Sequence, residues 1–400
     1  MKNKSDRLTQ AIRQYLLCSA LASLTGCGVS PAPRDTVPHA QQFQATVSDS
    51  NKAEQHKDTD AVSNIDLQVA QPPIDQSSYA LRSDARVLAI EIARTHDLNE
   101  EWVWSVMSKA RYQRQAGRLI MPPPKGLPKN WAAYRARFVE VTRIRHGRAF
   151  WQDHRQDLER AAQTYGVPVE IILGILGVET MYGRDTGRFL VLDVLTTLAL
   201  DFPKGRSDRS GFFKAELGAF IKLCAEQALS PTTTYGSFAG AIGWPQFMPS
   251  SIRRWGVDFD DDGKVDLQNS PVDAIGSIAN YLAKHGWQKD LPTHFDVTPP
   301  SEPTSLGQLL APDIRPTFSA NQMQAMGAKL AHDANRHSSR LALVMLENGD
   351  KPPSFIAGTQ NFYTITRYNQ SSYYALAVIE LGQALLRPDE CFKFKLNQCT

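Results

Sequence analysis

The chain has 400 residues, enough for one large domain with extensions or for two to three smaller ones. Its hydrophobic fraction of 42% is ordinary for a globular protein and allows a sizeable core. The 44 basic and 41 acidic residues are interspersed and give a net charge of +3, so there is no basic block and a nucleic-acid partner is not indicated.

The N-terminus has the pattern of a secretion signal. A basic region at residues 2–13 precedes a short apolar run from Tyr15 to Leu24. The run is shorter than the roughly 20 apolar residues that a membrane-spanning helix needs. The pattern therefore predicts a signal peptide over residues 1–26.

The signal ends in Leu24-Thr-Gly-Cys27, which resembles a bacterial lipoprotein box. In such boxes the cysteine receives a lipid, so we expect lipidation at Cys27; a chance cysteine in a plain signal peptide is the alternative. Gly28 in place of aspartate favours, by the same resemblance, sorting to the outer membrane. Residues 28–78 are rich in Pro, Gln, Ser, Asp and Ala, a composition that buries too little apolar surface to fold. Residues 27–78 are predicted to be the lipidated cysteine and a flexible tether.

Three cysteines remain once Cys18 leaves with the signal and Cys27 carries lipid. Cys224 lies in an apolar helical pattern and is interpreted as a buried structural thiol. Cys391 and Cys399 lie close together near the C-terminus, and an oxidising compartment would allow them to form a disulfide. No cysteine or histidine cluster has metal-ligand spacing.

Helical periodicity dominates from about residue 83 to residue 290. The segment Val169–Val178 is apolar on nearly every face, which predicts a helix that is buried all round, with Pro168 in its first turn. Gly174 and Gly177 within it predict close packing against another backbone. Further helices are predicted near 189–200, 211–229 and 271–285.

The helical sequence pattern is interrupted at about residues 290–365, where prolines separate short segments. Leu341–Leu346 and Ser354–Ala357 have the pattern of strands, and helical pattern returns at Tyr373. We predict a mainly α (α+β) fold in which residues 79–400 form the catalytic domain and about 290–365 form a small α/β insertion.

Glu179 stands at the end of the buried apolar helix, in Gly177-Val-Glu-Thr-Met-Tyr-Gly183. Burial disfavours the charged form of a carboxyl and raises its pKa. A carboxylic acid that keeps its proton near neutral pH can protonate a glycosidic oxygen. A capping or salt-bridged glutamate is the alternative on position alone.

Five motifs together resemble the membrane-bound lytic murein transglycosylase B family over roughly residues 80–387. They are, in chain order, Tyr165-Gly-Val-Pro-Val-Glu170, Gly177-Val-Glu-Thr-Met-Tyr-Gly183, Gly236-Ser-Phe-Ala-Gly-Ala-Ile-Gly-Trp-Pro-Gln-Phe-Met-Pro-Ser-Ser251, Pro271-Val-Asp-Ala-Ile-Gly-Ser277 and Asn361-Phe-Tyr-Thr-Ile-Thr-Arg-Tyr-Asn369. The resemblance implies a lysozyme-like helical core, a lipid-anchored protein of the Gram-negative periplasm, peptidoglycan glycan strands as substrate and cell-wall synthesis or remodelling proteins as partners.

The resemblance also implies a mechanism with Glu179 as the single catalytic residue and no catalytic cofactor. As acid it protonates the leaving oxygen, and as base it takes the proton of the muramic acid C6 hydroxyl, which gives a 1,6-anhydro end. Retaining and inverting glycosidases generally need two carboxylates, and no motif places a second acid opposite Glu179. A hydrolytic muramidase and a non-catalytic peptidoglycan-binding lipoprotein remain as alternatives.

Six further residues are assigned to the substrate groove by the same resemblance. Ser237 would bond Glu179 or the muramic acid, although it could instead cap a helix starting at Phe238. Gln246 would bond the N-acetyl sugar, and Asn369 would steady its N-acetyl group. The aromatic members are Tyr134, Tyr368 and Tyr374, and for Tyr134 and Tyr374 a place in the core is the alternative.

An acidic segment at Asp258-Phe-Asp-Asp-Asp-Gly-Lys264 resembles a calcium loop of the EF-hand type. Asp258, Asp260 and Asp262 hold positions 1, 3 and 5, and Lys264 offers its backbone carbonyl at position 7. Position 12 is an asparagine, and the family closes the loop with the residue that is Asp273 here. We expect a structural Ca²⁺; an acidic surface loop is the alternative.

One stretch departs from the family, which usually carries an aromatic-Pro-Arg-Arg sequence after the helix that ends near Leu200. This chain has Phe202-Pro-Lys-Gly-Arg-Ser-Asp-Arg209 instead. Contacts to the peptide stems of the substrate are therefore expected to differ.

Overall fold

The computed structural model describes four stretches of the chain, residues 77–122, 129–205, 207–335 and 337–387. The signal peptide, Cys27 with nearly all of the tether, Cys391 and Cys399 lie outside these stretches, and what the sequence indicates for them stays a prediction.

The helical body extends from residue 83 to residue 284 and resumes after the insertion. Its helices are α1 Ser83–His96, α2 Glu100–Met107, α3 Arg114–Leu119, α4 Trp131–Arg135, α5 Val141–Asp153, α6 Arg155–Tyr165, α7 Val169–Thr180, α8 Val191–Leu200, α9 Ser210–Glu226, α10 Pro249–Trp255 and α11 Pro271–Lys284. Two short strands, β1 Phe189–Leu190 and β2 Tyr235–Gly236, pair antiparallel within it.

The insertion comes after α11 in the chain, and two more helices of the helical body come after the insertion. Its elements are β3 His294–Thr298, α12 Pro303–Leu310, α13 Ala320–Ala325, β4 Lys329–Leu330, α14 His332–Asn335, β5 Ala342–Asn348 and β6 Lys351–Gly358, after which come α15 Gln360–Tyr368 and α16 Ser372–Leu386. The sheet has the antiparallel order β4-β3-β6-β5 and covers a small core of its own that includes Leu309, Met323 and Leu343.

Helix α7 lies at the centre of the main core, where it packs on α16. Every residue from Ile171 to Thr180 is buried, as the apolar pattern predicts. A Cβ atom on Gly174 would lie 2.2 Å from the Val378 carbonyl oxygen, and one on Gly382 would lie 2.1 Å from the Glu170 carbonyl oxygen. The two helices therefore approach so closely that only glycine fits at these crossing points.

Most of the predicted elements are confirmed, with three local corrections. Pro168 is the N-cap residue before α7 rather than part of its first turn. Phe189 and Leu190 form a strand, and α8 begins after them. The insertion also contains β3 and β4, which have five and two residues and which the sequence pattern did not predict.

Cys224 is buried and carries a free thiol, in agreement with its interpretation as structural. Burial raises the pKa of this thiol to about 12, so it stays protonated and unreactive.

In the described stretches, no individual helix has both the length and the apolar character needed to cross a bilayer. The bent pair α6 and α7, with an angle of 116° between its members, meets the length and composition test only when the two are taken together.

Candidate active site

Glu179 is the second-to-last residue of α7 and is only 6% exposed. The helix ends directly after it because Met181, Tyr182 and Gly183 have left-handed backbone, with φ of 50°, 58° and 76°. Three consecutive residues in this region are unusual, and two of them are not glycine. The carboxyl group therefore lies in the last turn of a buried helix that is closed by a strained turn.

The carboxyl of Glu179 is bonded by a tyrosine from the facing helix. The Tyr374 hydroxyl, in the first turn of α16, donates a hydrogen bond to Glu179 Oε1 at 2.6 Å. Burial raises the pKa of Glu179 to about 7, and the hydrogen bond from Tyr374 opposes this by favouring the carboxylate. The group is consequently protonated in a large fraction of molecules at neutral pH.

Two more of the predicted tyrosines lie around this carboxyl. The pKa values of Tyr134 and Tyr368 are raised by burial first and by the negative charge of Glu179 second, which places both hydroxyls within its field. The rings of Tyr368 and Tyr374 stack at 6.3 Å with an angle of 13° between their planes. Glu179 thus has an aromatic wall on the side of α4, α15 and α16.

Asn369 follows α15 in extended backbone and is 3% exposed. Its Oδ1 atom is buried and has no hydrogen-bond partner in the described part of the chain. An unpaired buried amide oxygen is costly, and native structures rarely keep one without a ligand or water. The atom is therefore suited to accept a hydrogen bond from a bound molecule.

The glycine-rich loop between β2 and α10 carries Ser237 and Gln246. The hydroxyl oxygen of Ser237 accepts from the amides of Ala239 and Ala241 at 3.3 and 3.0 Å, so it braces the loop, and no helix starts at Phe238. Among the described residues it makes no hydrogen bond to Glu179, and the expectation that it bonds Glu179 or the muramic acid stays a prediction.

Gln246 has left-handed backbone with φ of 52°, and its side chain binds the loop itself. Its Nε2 donates to the Thr186 and Gly243 carbonyl oxygens at 3.0 and 2.9 Å. Tyr368 donates to the carbonyl of the preceding Pro245. The loop is therefore held at Thr186, in the segment between α7 and β1, on one side and at α15 on the other.

The acidic loop brings three of its predicted ligands together. One carboxylate oxygen each from Asp258, Asp260 and Asp262 lies within 4.8 Å of the others. Asp261 and Gly263, with φ of 59° and 90°, turn the backbone between them. The oxygen donors and their spacing fit a hard divalent cation such as Ca²⁺.

Asp273 is not part of this cluster of three carboxylates, and its assignment as the closing ligand stays a prediction. It is 1% exposed, and its Oδ1 and Oδ2 accept from the amides of Phe259 and Asp266 at 2.7 and 2.8 Å. It thus supports the loop from the first turn of α11. Asp266, which the sequence reasoning passed over, accepts from the amides of Gln268 and Asn269.

Comparison with known proteins identifies the family of the chain. The family model of the transglycosylase SLT domain matches residues 82–383. Membrane-bound lytic murein transglycosylase B of Escherichia coli (strain K12) is 35% identical over 317 residues, covering 77% of this chain and 84% of that protein.

Solved structures agree with the fold. Lytic transglycosylase SltB1 from Pseudomonas aeruginosa has a TM-score of 0.69 and 36% identity, over 77% of this chain and 98% of that one. Escherichia coli lytic transglycosylase Slt35 in complex with calcium has a TM-score of 0.66 and 35% identity, over 76% and 92%. The predicted mainly helical, lysozyme-like fold is confirmed. The chain belongs to the transglycosylase SLT domain family, and it is a lytic murein transglycosylase, a lyase that acts on the peptidoglycan polysaccharide.

Proposed function

We propose that Glu179 is the single acid and base with which this enzyme cleaves the β-1,4 bond between N-acetylmuramic acid and N-acetylglucosamine. The observation that carries the proposal is the buried carboxyl itself, bonded by Tyr374 and with its pKa raised to about 7 by burial. A pKa close to the working pH suits a group that must first give a proton and then take one.

The two steps balance without water. Glu179 gives its proton to the glycosidic oxygen as the bond from that oxygen to C1 of the muramic acid breaks. The resulting carboxylate takes the proton of the C6 hydroxyl on the same sugar while the C6 oxygen bonds to C1. The product is a 1,6-anhydro end, and Glu179 has its proton again.

The other buried acids support a mechanism with one carboxyl. Outside Glu179, the buried acidic residues of the described stretches are Asp193, Glu216 and Asp273. The carboxylate of Asp193 accepts a hydrogen bond from the Arg111 backbone amide. Glu216 accepts from the backbone amide and from the hydroxyl of Ser250, and Asp273 accepts from amides of the acidic loop. Each serves a structural bond, whereas a hydrolytic muramidase usually needs a second acid near the first.

The substrate contacts follow from the unpaired and aromatic groups of the site. The free Oδ1 of Asn369 would accept the N–H of the N-acetyl group, which steadies that group while it stabilises the cationic C1. Tyr134, Tyr368 and Tyr374 offer flat faces to the sugar rings, and Gln246 lies on the loop beside them. Solved relatives hold peptidoglycan fragments, and one is bound to NAG-NAM-pentapeptide.

A purely peptidoglycan-binding lipoprotein is less well supported. Burying a carboxyl disfavours its charged form and so costs stability at neutral pH, and burial is the main cause of the raised pKa of Glu179. A scaffold would gain nothing from this cost, whereas an enzyme needs the protonated acid.

Glu179→Gln tests the role directly, with Glu170→Gln as the matched control in the first turn of the same helix. We expect the first variant to lose the anhydro-muropeptides released from purified sacculi by at least about 10²-fold, with sacculus binding intact, and the second to keep them. Activity near wild type in Glu179→Gln would assign the acid/base role to another residue.

Calcium is proposed as a structural ion. Asp258, Asp260 and Asp262 would hold it, with the Lys264 carbonyl as a further ligand, and bound Ca²⁺ would neutralise their clustered charge. The Slt35 complex with calcium supports this assignment. No step of the reaction depends on the ion.

The proposed location at the outer membrane is supported by the N-terminal sequence and by one relative. The Escherichia coli relative is membrane-bound, and we propose that a lipid on Cys27 anchors this chain to the outer membrane, with the tether of residues 28–78 giving it reach into the periplasm. Cys27→Ala should move the protein from the membrane fraction to the soluble periplasm or leave its signal uncleaved. Firm sedimentation with membranes after confirmed signal cleavage would contradict the lipid anchor.

A further inference from the structure

The turn that follows Glu179 needs support from outside its own sequence. Its left-handed residues Met181, Tyr182 and Gly183 store backbone strain, which persists only where neighbouring groups hold it. The Thr180 hydroxyl accepts from the Gly183 amide at 3.1 Å and donates to the Trp244 carbonyl oxygen at 3.0 Å. The last turn of α7 is thus tied to the glycine-rich loop at one residue, Trp244.

The Trp244 ring lies directly on the same turn. A Cβ atom on Gly183 would lie 2.5 Å from the indole, so the ring fills the space that the glycine leaves. The indole also lies 5.7 Å from the ring of Phe150, which in turn stacks on Tyr182 at 5.7 Å. The hydrogen bonds of the Thr180 hydroxyl and the ring packing on Tyr182 and Gly183 therefore both hold the segment that follows Glu179.

The far side of Trp244 is fixed to the closing end of the acidic loop. Its backbone N–H donates to the Leu267 carbonyl oxygen at 2.8 Å, and its indole Nε1–H donates to the Gln268 carbonyl oxygen at 3.1 Å. Gly243, with φ of 72°, approaches Leu267 so closely that a Cβ would lie 2.0 Å from its carbonyl oxygen. A shift at the end of this loop must move Trp244.

We propose that Trp244 is a positioning residue for the reaction: it clamps the Glu179 turn to the end of the acidic loop at Leu267 and Gln268. This inference rests on the proposed role of Glu179. A catalytic carboxyl displaced by about 1 Å can lose about 10²-fold in rate, so a rigid clamp on its turn acts on kcat. Through the clamp, a change in the conformation of the acidic loop would also change the position of the Glu179 carboxyl. The aspartates of the loop do not contact Glu179 directly.

Trp244→Phe tests the clamp, because it keeps an aromatic ring and removes the indole donor. Trp287→Phe is the matched control: Trp287 is also half-buried, and its backbone and indole N–H groups likewise donate to carbonyl oxygens, those of Leu282 and Gly166. Gly166 precedes α7, at the end opposite Glu179, so this control removes the same kind of bond away from the site.

We expect Trp244→Phe to lower kcat by about 10-fold or more with a small change in KM, and to shift the pH–rate profile. Trp244→Phe and Trp287→Phe should lower the melting temperature by similar amounts, because each loses one partly buried indole hydrogen bond. Trp287→Phe should leave kcat and the pH–rate profile unchanged.

Thr180→Val provides a second variant, since it removes the hydroxyl that bonds the Trp244 backbone carbonyl, on the side of the clamp that faces Glu179. The double variant Thr180→Val, Trp244→Phe should lose less kcat than the product of the two single losses, because the two bonds act in series through Trp244 and breaking either one releases the clamp. Equal kcat in Trp244→Phe and Trp287→Phe, while Glu179→Gln is inactive, would overturn the clamp alone. An active Glu179→Gln would overturn the proposed acid instead.

Discussion

The molecule contains two acidic sites that differ in their exposure to water. Glu179 is a single carboxyl, buried in the last turn of an apolar helix and bonded by one phenol. Asp258, Asp260 and Asp262 share a loop in which Asp260 and Asp262 are exposed, with their carboxylates within 4.8 Å of each other. Burial keeps a proton on the first site, whereas the second presents a cluster of carboxylate oxygens, which are the ligands that a hard cation prefers.

The comparison shows that the surroundings, and not the side-chain type, assign the chemistry. Where a carboxyl is desolvated with no cation nearby, it becomes a proton donor. Where carboxylates crowd together in water, metal binding relieves their repulsion. The structural link through Trp244 places the two sites at opposite ends of one set of contacts, so each can be perturbed while the other is measured.

The largest stability effect is expected from the buried site. The pKa of Glu179 is about 7 in the folded state against 4.5 for the unperturbed group, so the folded state binds the proton more tightly than the unfolded chain does. Its contribution to stability is complete below pH 4.5 and is lost as the pH rises through about 7. Glu179→Gln does not titrate, so its stability relative to wild type should rise by about 2–3 kcal/mol between pH 5 and pH 8.

Urea unfolding of wild type and of Glu179→Gln at the two pH values measures this difference. A Glu179→Gln variant whose stability relative to wild type is the same at pH 5 and pH 8 would mean that burial does not shift this carboxyl.

A smaller stability effect is expected from the exposed site. Ligand binding to the folded state stabilises it by mass action, roughly 1.4 kcal/mol when free calcium is about ten times Kd. A chelator should therefore lower the melting temperature, and the variant Asp258→Ala, Asp262→Ala should lose this response. An unchanged melting temperature with chelator and with added calcium would identify the segment as an acidic surface turn.

The smallest expected effect is a shift in the pKa of Glu179, which burial raises and the hydrogen bond from Tyr374 lowers. Tyr374→Phe removes the donor that favours the carboxylate, so the pKa of Glu179 should rise further. The alkaline limb of kcat/KM should move to higher pH, since this limb reports loss of the catalytic proton. Tyr373→Phe, in which the lost hydroxyl bonds the Glu347 backbone, should leave the limb in place.

Patterns local in sequence predicted much of this molecule. The apolar run before Glu179 predicted a buried helix and a raised pKa, and the spacing of the aspartates predicted their cluster. Gly174 predicted a close approach to another backbone, and the structure shows that this backbone is the one of α16 at Val378. These features depend on residues near each other in the chain, which is where periodicity and spacing carry information.

Contacts between distant segments were not predictable in the same way. Tyr374 was assigned to the groove by resemblance, but its bond to Glu179 joins residues 195 positions apart. Asp273 fitted a ligand pattern, yet its oxygens are taken by loop amides that only the fold brings to it. The role of Trp244 depends on three segments at once, and no motif describes it.

The most direct test of the central claim is the mass of the glycan ends that the wild-type enzyme releases from purified sacculi in water enriched in ¹⁸O. A single carboxyl that passes the proton from the C6 hydroxyl to the leaving oxygen gives 1,6-anhydro ends, which are one water lighter than reducing ends and carry no label. We predict that these ends dominate and that they disappear with Glu179→Gln. Reducing ends that carry ¹⁸O as the main product would show that water attacks C1, and would contradict a one-carboxyl, water-free cleavage.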